Sequence, residues 1–391
     1  MGVDDPTYEQ DMAPLIARRC LPCHVEGGPA PFPLQTFEQV KRKGDLIRWV
    51  TIVGTMPPTD AVSDLARMTA NAPLTDEDRI LIQDWVRSGK GRGSAAHAHP
   101  PEIPVATWSL DHPTAQWSGG TGERTLADGP PYRKLFLIAN PVHEEVSLTQ
   151  FALTPAVPLA LRQAYVSVVP KGFEGDIQRE FFGPTGMKGD ALVGAWASGY
   201  SAWRSSTGVR LHPGDRLAVW ALIQPTGKEE DAGFKLDVIT HAASQTAATW
   251  HTFADDTFSI RPGDGLTTVR ASWTLNEERA VTSLIPECRS FARQVRVRAE
   301  FPDGSVKQVL TIVSWDANWV GAYQPDKPIR LPAGTKLTAE IDYDNSGHSA
   351  GNRESKPTKP VLPGPTDKDE LFRVHIQTEA VSAETRRTMR P

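Results

Sequence analysis

The sequence predicts a multidomain chain: a small all-α domain followed by two tandem all-β sandwiches. Three observations carry this. At 391 residues the chain is too long for one ordinary core. Apolar residues recur at helical spacing up to about residue 90. Beyond residue 104 the apolar runs are short, β-rich and bounded by turn signals, and 33 prolines interrupt helices and central strands alike. The expected units are residues 1–92 (helical), 93–104 (linker), 105–248 and 249–380 (sandwiches) and 381–391 (tail).

Composition narrows the function. A net charge of −5 without blocks of like charge gives no reason to expect nucleic acid or an anionic membrane as partner. No run approaches 18 uninterrupted apolar residues, so no transmembrane segment is expected. Three cysteines cannot form a disulfide framework.

In the helical part, Met12, Leu15 and Ile16 define one face of a first helix. It leads into Cys20-Leu21-Pro22-Cys23-His24. C-x-x-C-H is a c-type haem attachment pattern: two thiols three positions apart can reach both vinyl groups of one porphyrin, and the adjacent imidazole stands over the iron. A zinc site would need a second ligand pair, which does not follow. A thioredoxin-like dithiol would need a preceding strand, and the approach is helical. Cys20 and Cys23 are therefore the expected haem thioethers and His24 the proximal iron ligand.

A second helix is expected over 44–54, with Leu46, Val50 and Val53 on one side. It is followed by Met56-Pro57-Pro58, and Met56 is the expected second axial ligand, preferred to Met68, which lacks rigidifying neighbours. A closing helix starts at Thr75 and Asp78, which have capping-box spacing, and ends near Gly89. Its Leu81–Trp85 and Ile82–Val86 pairs are expected to pack on the first helix. This layout, over residues 5–92, resembles a class I cytochrome c domain, which implies one covalent haem c. Such attachment takes place outside the bacterial cytoplasm, so a periplasmic location is expected, with a signal peptide already removed from a chain that starts MGVDDPTYEQ.

Residues 91–104 have linker composition, and His97 and His99 within them make an unsupported metal pair. Further on, Val295, Val297 and Ala299 alternate with polar residues, and Asp303-Gly304 reads as the hairpin turn of that strand. The stretches Gly194-Ala195-Trp196-Ala197-Ser198-Gly199, Leu211-His212-Pro213-Gly214-Asp215 and Gln224-Pro225-Thr226-Gly227-Lys228 belong to the first half. Phe301-Pro302-Asp303-Gly304, Trp315-Asp316-Ala317-Asn318-Trp319, Leu331-Pro332-Ala333-Gly334, Tyr343-Asp344-Asn345-Ser346 and Asp369-Glu370 belong to the second. Over residues 125–378 these resemble the copper type II, ascorbate-dependent monooxygenases of peptidylglycine hydroxylase type.

That resemblance implies two tandem jelly rolls and a copper site in each. The ligand motifs do not match. The strand around Ala164–Ser167 has no His-His pair, and Leu222 and Gln224 stand where imidazoles would be. Pro286-Glu287-Cys288-Arg289 replaces Pro-His-Met-His, and Asp369-Glu370-Leu371-Phe372 replaces Asp-Glu-Met-Cys. Copper is therefore not expected, and no catalytic residue is assigned. Arg289 is expected to pair with Glu287 or another acid, and Cys288 to be a small core hydrophobe. His112, His143, His212, His241, His251, His348 and His375 are scattered without ligand spacing. No G-x-S-x-G, Walker loop or H-E-x-x-H is present.

The expected function is that of a periplasmic c-type haem protein whose copper-free β domains make it an electron-transfer or docking subunit of a larger redox complex. A membrane-bound respiratory or photosynthetic assembly is the expected partner. The alternative is a divergent copper-dependent monooxygenase fed electrons by its own haem.

Overall fold

The computed structural model describes residues 5–58, 61–68, 74–94, 110–183, 186–199, 202–243, 247–349, 351–352, 355–364, 366 and 368–381. Helices come first. A π-helical turn, Tyr8–Met12, runs into α1, Ala13–Arg19. Then come α2, Phe37–Ile52, and α3, Asp76–Arg87. Reciprocal capping boxes start the last two: Thr36 with Gln39, and Thr75 with Asp78. The three pack around Met12, Leu15, Ile16, Val40, Ile47, Ile82 and Trp85, a cluster shielded from water.

The side of the second helix that carries Leu46, Val50 and Val53 is not its buried side. α2 buries Phe37, Val40, Gly44, Ile47 and Thr51. Leu46, Trp49, Ile52 and Val53 are left 41–58% exposed. The helix starts at Phe37 rather than Gly44, and Phe37 and Val40 in the added turns fix the buried face.

Between α2 and α3 the chain forms β1, Ala61–Val62. Eight strands then build the first sandwich. They are β2 (Ala115–Gly119), β3 (Tyr132–Ala139), β4 (Val146–Pro155), β5 (Leu161–Val169), β6 (Leu192–Ala197), β7 (Trp203–Leu211), β8 (Arg216–Ile223) and β9 (Phe234–Ala242). One layer has the order β2-β9-β4-β7 and the other β3-β8-β5-β6. All their recorded pairings are antiparallel. Phe151, Leu153, Val166, Trp196, Trp203, Leu217 and Leu236 fill the space between them. A short helix, α4 (Ile177–Phe182), lies between β5 and β6.

The second pair of sheets uses β10 (Thr249–Ala254), β11 (Thr267–Thr274), β12 (Arg279–Glu287), β13 (Ala292–Glu300), β14 (Val306–Ile312), β15 (Ile329–Leu331), β16 (Lys336–Tyr343) and β17 (Arg373–Ala380). Their orders are β1-β14-β13-β16-β11 and β10-β17-β12-β15. Val295, Val297 and Ala299 on β13 point inward and are fully buried. Residues 301–305 close the β13–β14 turn, with Gly304 at φ 82° where a side chain would be strained.

The expected fold class is therefore corrected. The chain is mostly β, with four antiparallel sheets among the described residues, and no small all-α cytochrome domain stands apart from them. β1 interrupts the helices and adds an edge to the second sandwich, pairing Ala61 with Ile312 and Val62 with Thr311. Six residues on, Met68 bridges to Pro325. Helical periodicity is a local signal and says nothing about where the chain between two helices is spent.

The two successive sandwiches share apolar packing. The core of the second continues into Tyr165, Val169, Ala195, Ala197 and Ala218 on the outer face of the first sandwich's β3-β8-β5-β6 layer. Polar clamps reinforce this junction. Glu379 on β17 is buried and accepts from the hydroxyls of Ser205, Ser206 and Thr207 on β7. Among the described residues no helix is long and apolar enough to cross a membrane.

Removing the Glu379 carboxylate strands several buried donors at the junction. Glu379→Ala should lower the unfolding free energy by about 2–3 kcal/mol in denaturant titration.

Candidate functional site

The C-x-x-C-H segment is a single tight turn at the end of α1. Cys20 is the C-cap of that helix, and its carbonyl accepts from the amides of Cys23 (3.1 Å) and His24 (2.8 Å). Both thiols and the imidazole are thereby placed on one turn. Cys20 and Cys23 are half-buried free thiols. Burial pushes each up to about 12, so both are protonated near neutrality and unlike a reactive dithiolate pair.

His24 is oriented by its own loop. Its Nδ1 lies 2.8 Å from the Phe32 carbonyl. A carbonyl only accepts, so Nδ1 carries the proton and Nε2 keeps its lone pair. Burial lowers the imidazole pKa, opposed by the hydrogen bond to Phe32, and the neutral ring is favoured. A neutral imidazole with a fixed tautomer is the form that ligates a metal.

The exposed stripe of α2 extends from this turn. Lys43 Nζ sits 4.5 Å above the Phe32 ring, and that ring packs 4.9 Å from the His24 ring. Leu46, Val50 and Val53 follow Lys43 at helical spacing on the same side of α2. At the far end the Met56 amide donates to the Val50 carbonyl at 3.2 Å. His24 and Met56 thus mark opposite ends of an apolar strip whose larger members face solvent. The structure does not bring the two residues together, and Met56 stays outside the buried helical cluster. Met68 is 4% exposed and belongs to the core of the second sandwich.

The residue types on the turn fit a covalently attached haem: two thiols and an Nε2 lone pair beside an apolar strip of unusual exposure for a helix face. His97 and His99 lie outside the described residues, as do positions 95–104 of the expected linker and 382–391 of the expected tail.

The turn rests on the first sandwich. The Cys23 thiol points at the Ser198 carbonyl, 3.9 Å away. A Cβ on Gly199 would lie 2.2 Å from Cys23 Sγ, and Gly199 has φ 84°. Only glycine leaves room there for the sulfur. Ser198 and Gly199, at the end of the Gly194–Gly199 stretch, are therefore the seat of the cysteine turn.

The positions that the resemblance aligns with copper ligands carry other chemistry. Leu222 is buried and Gln224 half-buried at the end of β8. Cys288 is buried in the core, and burial raises its thiol well above the ordinary value. Arg289 does not pair with Glu287: its guanidinium donates to the Thr366 carbonyl. Glu287 instead accepts from the Met187 amide at 2.9 Å and lies 3.4 Å from His375 Nε2. His375 is fully buried, with Nδ1 2.9 Å from Thr252 Oγ1. This Glu287–His375–Thr252 network was missed by sequence reading, because only the β12–β17 register brings residues 287 and 375 together. Among the described residues, no three His, Cys, Asp or Glu side chains gather as a metal site.

Comparisons with known proteins identify no family. No family model matches the chain, and no curated protein does. Solved structures give faint likenesses. A protein of Eubacterium rectale has a TM-score of 0.21 at 10% identity, covering 64% of this chain and 70% of its own. PNGF-II scores 0.27 at 10% identity, over 66% and 62%. The VP2 subviral particle protein of infectious bursal disease virus scores 0.19 at 12% identity, over 70% and 78%.

One buried acid makes the fold pH-sensitive. Glu370 is fully buried and accepts amides from Phe291 (3.0 Å) and Leu371 (2.8 Å) and from Arg289. Burial outweighs these bonds and raises its pKa from 4.5 to about 7. The folded state then binds the proton more tightly than the unfolded one. The stability that Glu370 contributes is complete below pH 4.5 and is lost as pH rises to about 7. Chemical denaturation between pH 5 and 7.5 should show falling stability, and Glu370→Leu should flatten that slope.

Proposed function

We propose that this chain is a periplasmic c-type haem protein that serves as an electron-transfer or docking subunit of a larger redox complex. The observation that carries the reading is the orientation of His24: its Nδ1 is tied to Phe32, and its free Nε2 shares one turn with two thiols. Cys20 and Cys23 would hold the porphyrin by thioethers, and His24 and Met56 would ligate the iron. The bound group would supply one-electron transfer, at a potential set by its ligands, burial and nearby hydrogen bonds. The protein's own part is to fix the imidazole tautomer, to cover one porphyrin face with Leu46, Val50 and Val53, and to seat Cys23 against Ser198 and Gly199.

The β part is proposed to descend from a copper type II monooxygenase scaffold and to contribute surface rather than oxygen chemistry. Glu287, Cys288, Leu222 and Gln224 at the ligand positions support this, since neither acid nor amide reproduces an imidazole and thioether set. A respiratory or photosynthetic membrane complex is the proposed partner.

The test is maturation of the full chain, exported in a bacterium that attaches haem to secreted proteins. Denatured protein should retain a c-type absorption spectrum and the mass of one haem, with stoichiometric iron and no copper. Cys20→Ala with Cys23→Ala should abolish attachment. Wild-type chain without covalent haem would refute the reading, and stoichiometric copper would favour an oxygenase instead.

A further inference from the structure

We infer that Arg162 is a positioning residue that locks the C-x-x-C-H turn to both sandwiches and holds a positive charge beside the Cys23 attachment point. This rests on the haem reading for its redox consequence, but not for the lock. Arg162 lies on β5 of the first sandwich. Its Nη1 donates to the Pro29 carbonyl at 2.9 Å, in the loop that also holds the His24 imidazole through Phe32. Its backbone carbonyl accepts from the Ser198 amide at 3.0 Å, and the Ser198 carbonyl faces the Cys23 thiol. One residue therefore holds the turn from two sides.

The same guanidinium reaches the second sandwich. It lies over the Trp319 ring, 5.4 Å from its centroid. The neighbouring Gln163, fully buried, clamps that loop by donating to the Ala317 carbonyl (3.4 Å) and accepting from the Val320 amide (2.5 Å). Arg162 is thus the side chain at which helical segment, first sandwich and second sandwich meet.

Its charge is only partly offset. Among the described residues no carboxylate forms an ion pair with it, and Asp316 is the acid whose charge acts on it. Ferric haem carries one more positive charge than ferrous. A fixed cation in a partly dry joint disfavours the ferric state and raises the potential, because screening there is weaker than in water. Trp319 would cover the guanidinium and keep water from screening it.

The experiment is spectroelectrochemical titration of natively matured full-length protein, with Arg162→Met and Arg162→Lys. Arg162→Met should lower the midpoint, so that the oxidised-to-reduced ratio at a fixed potential rises several-fold. Arg162→Lys should recover most of the wild-type midpoint, because charge rather than shape is being read. Equal midpoints in wild type and Arg162→Met, with haem loaded in both, would overturn the electrostatic claim. Should the wild type carry no haem, the haem reading fails, and the lock is judged on the unloaded full chain by limited proteolysis. Both variants should then be cut several-fold faster within residues 25–35, since Lys cannot span Pro29 and Trp319 together. Unchanged cleavage would overturn the lock.

Discussion

The structure depends on one packing event: an outer sheet face of the first sandwich is buried by the core of the second. Tyr165, Ala195, Ala197 and Ala218 would otherwise present apolar surface on the β3-β8-β5-β6 layer. Small side chains there let the second body approach closely, and Val281, Leu284 and Ile285 on β12 belong to the same apolar core. Removing that surface from water is the largest favourable contribution available at the junction. Ala61 and Met68 belong to this core too, so residues 61–68, between α2 and α3, are held by the second sandwich.

From that constraint the position of the cysteine turn follows. The helical segment is held at two places: at β1 and Met68 by the second sandwich, and at Cys23 and Pro29 by the first. A turn so held presents the Cys23 thiol toward Ser198 and Gly199 while the exposed strip of α2 remains uncovered. The polar residues at the junction complete the picture. Glu287 lies against His375 and takes the Met187 amide, and Glu370 takes three amides, so that these buried polar groups are satisfied within the junction.

Much of this was legible in the residues. The C-x-x-C-H turn announced itself because its chemistry is local and its spacing short. Thr75 and Asp78 marked the start of α3 for the same reason, and strands such as β13 showed through two-residue alternation. The expectation of an independent all-α domain failed because β1 is only two residues long, with no periodicity to read. The start of α2 was placed at Gly44, seven residues after its true start at Phe37, because the capping box of Thr36 and Gln39 was overlooked. Arg162 and the Glu287–His375 pair were invisible for a further reason. Their partners lie 133 and 88 residues away in sequence, and only tertiary register supplies them.

The unity of the helical segment with the second sandwich is best tested by native-state hydrogen exchange on the full chain. The Asp64 amide donates to the Gln308 carbonyl at 2.9 Å, beside the β1–β14 pairing. It should exchange with the same opening free energy as the amides of β14, and the two should respond together to low denaturant. Exchange of Asp64 in step with α1 and α3, at a free energy well below that of β14, would show the segment to be an autonomous unit and contradict the account.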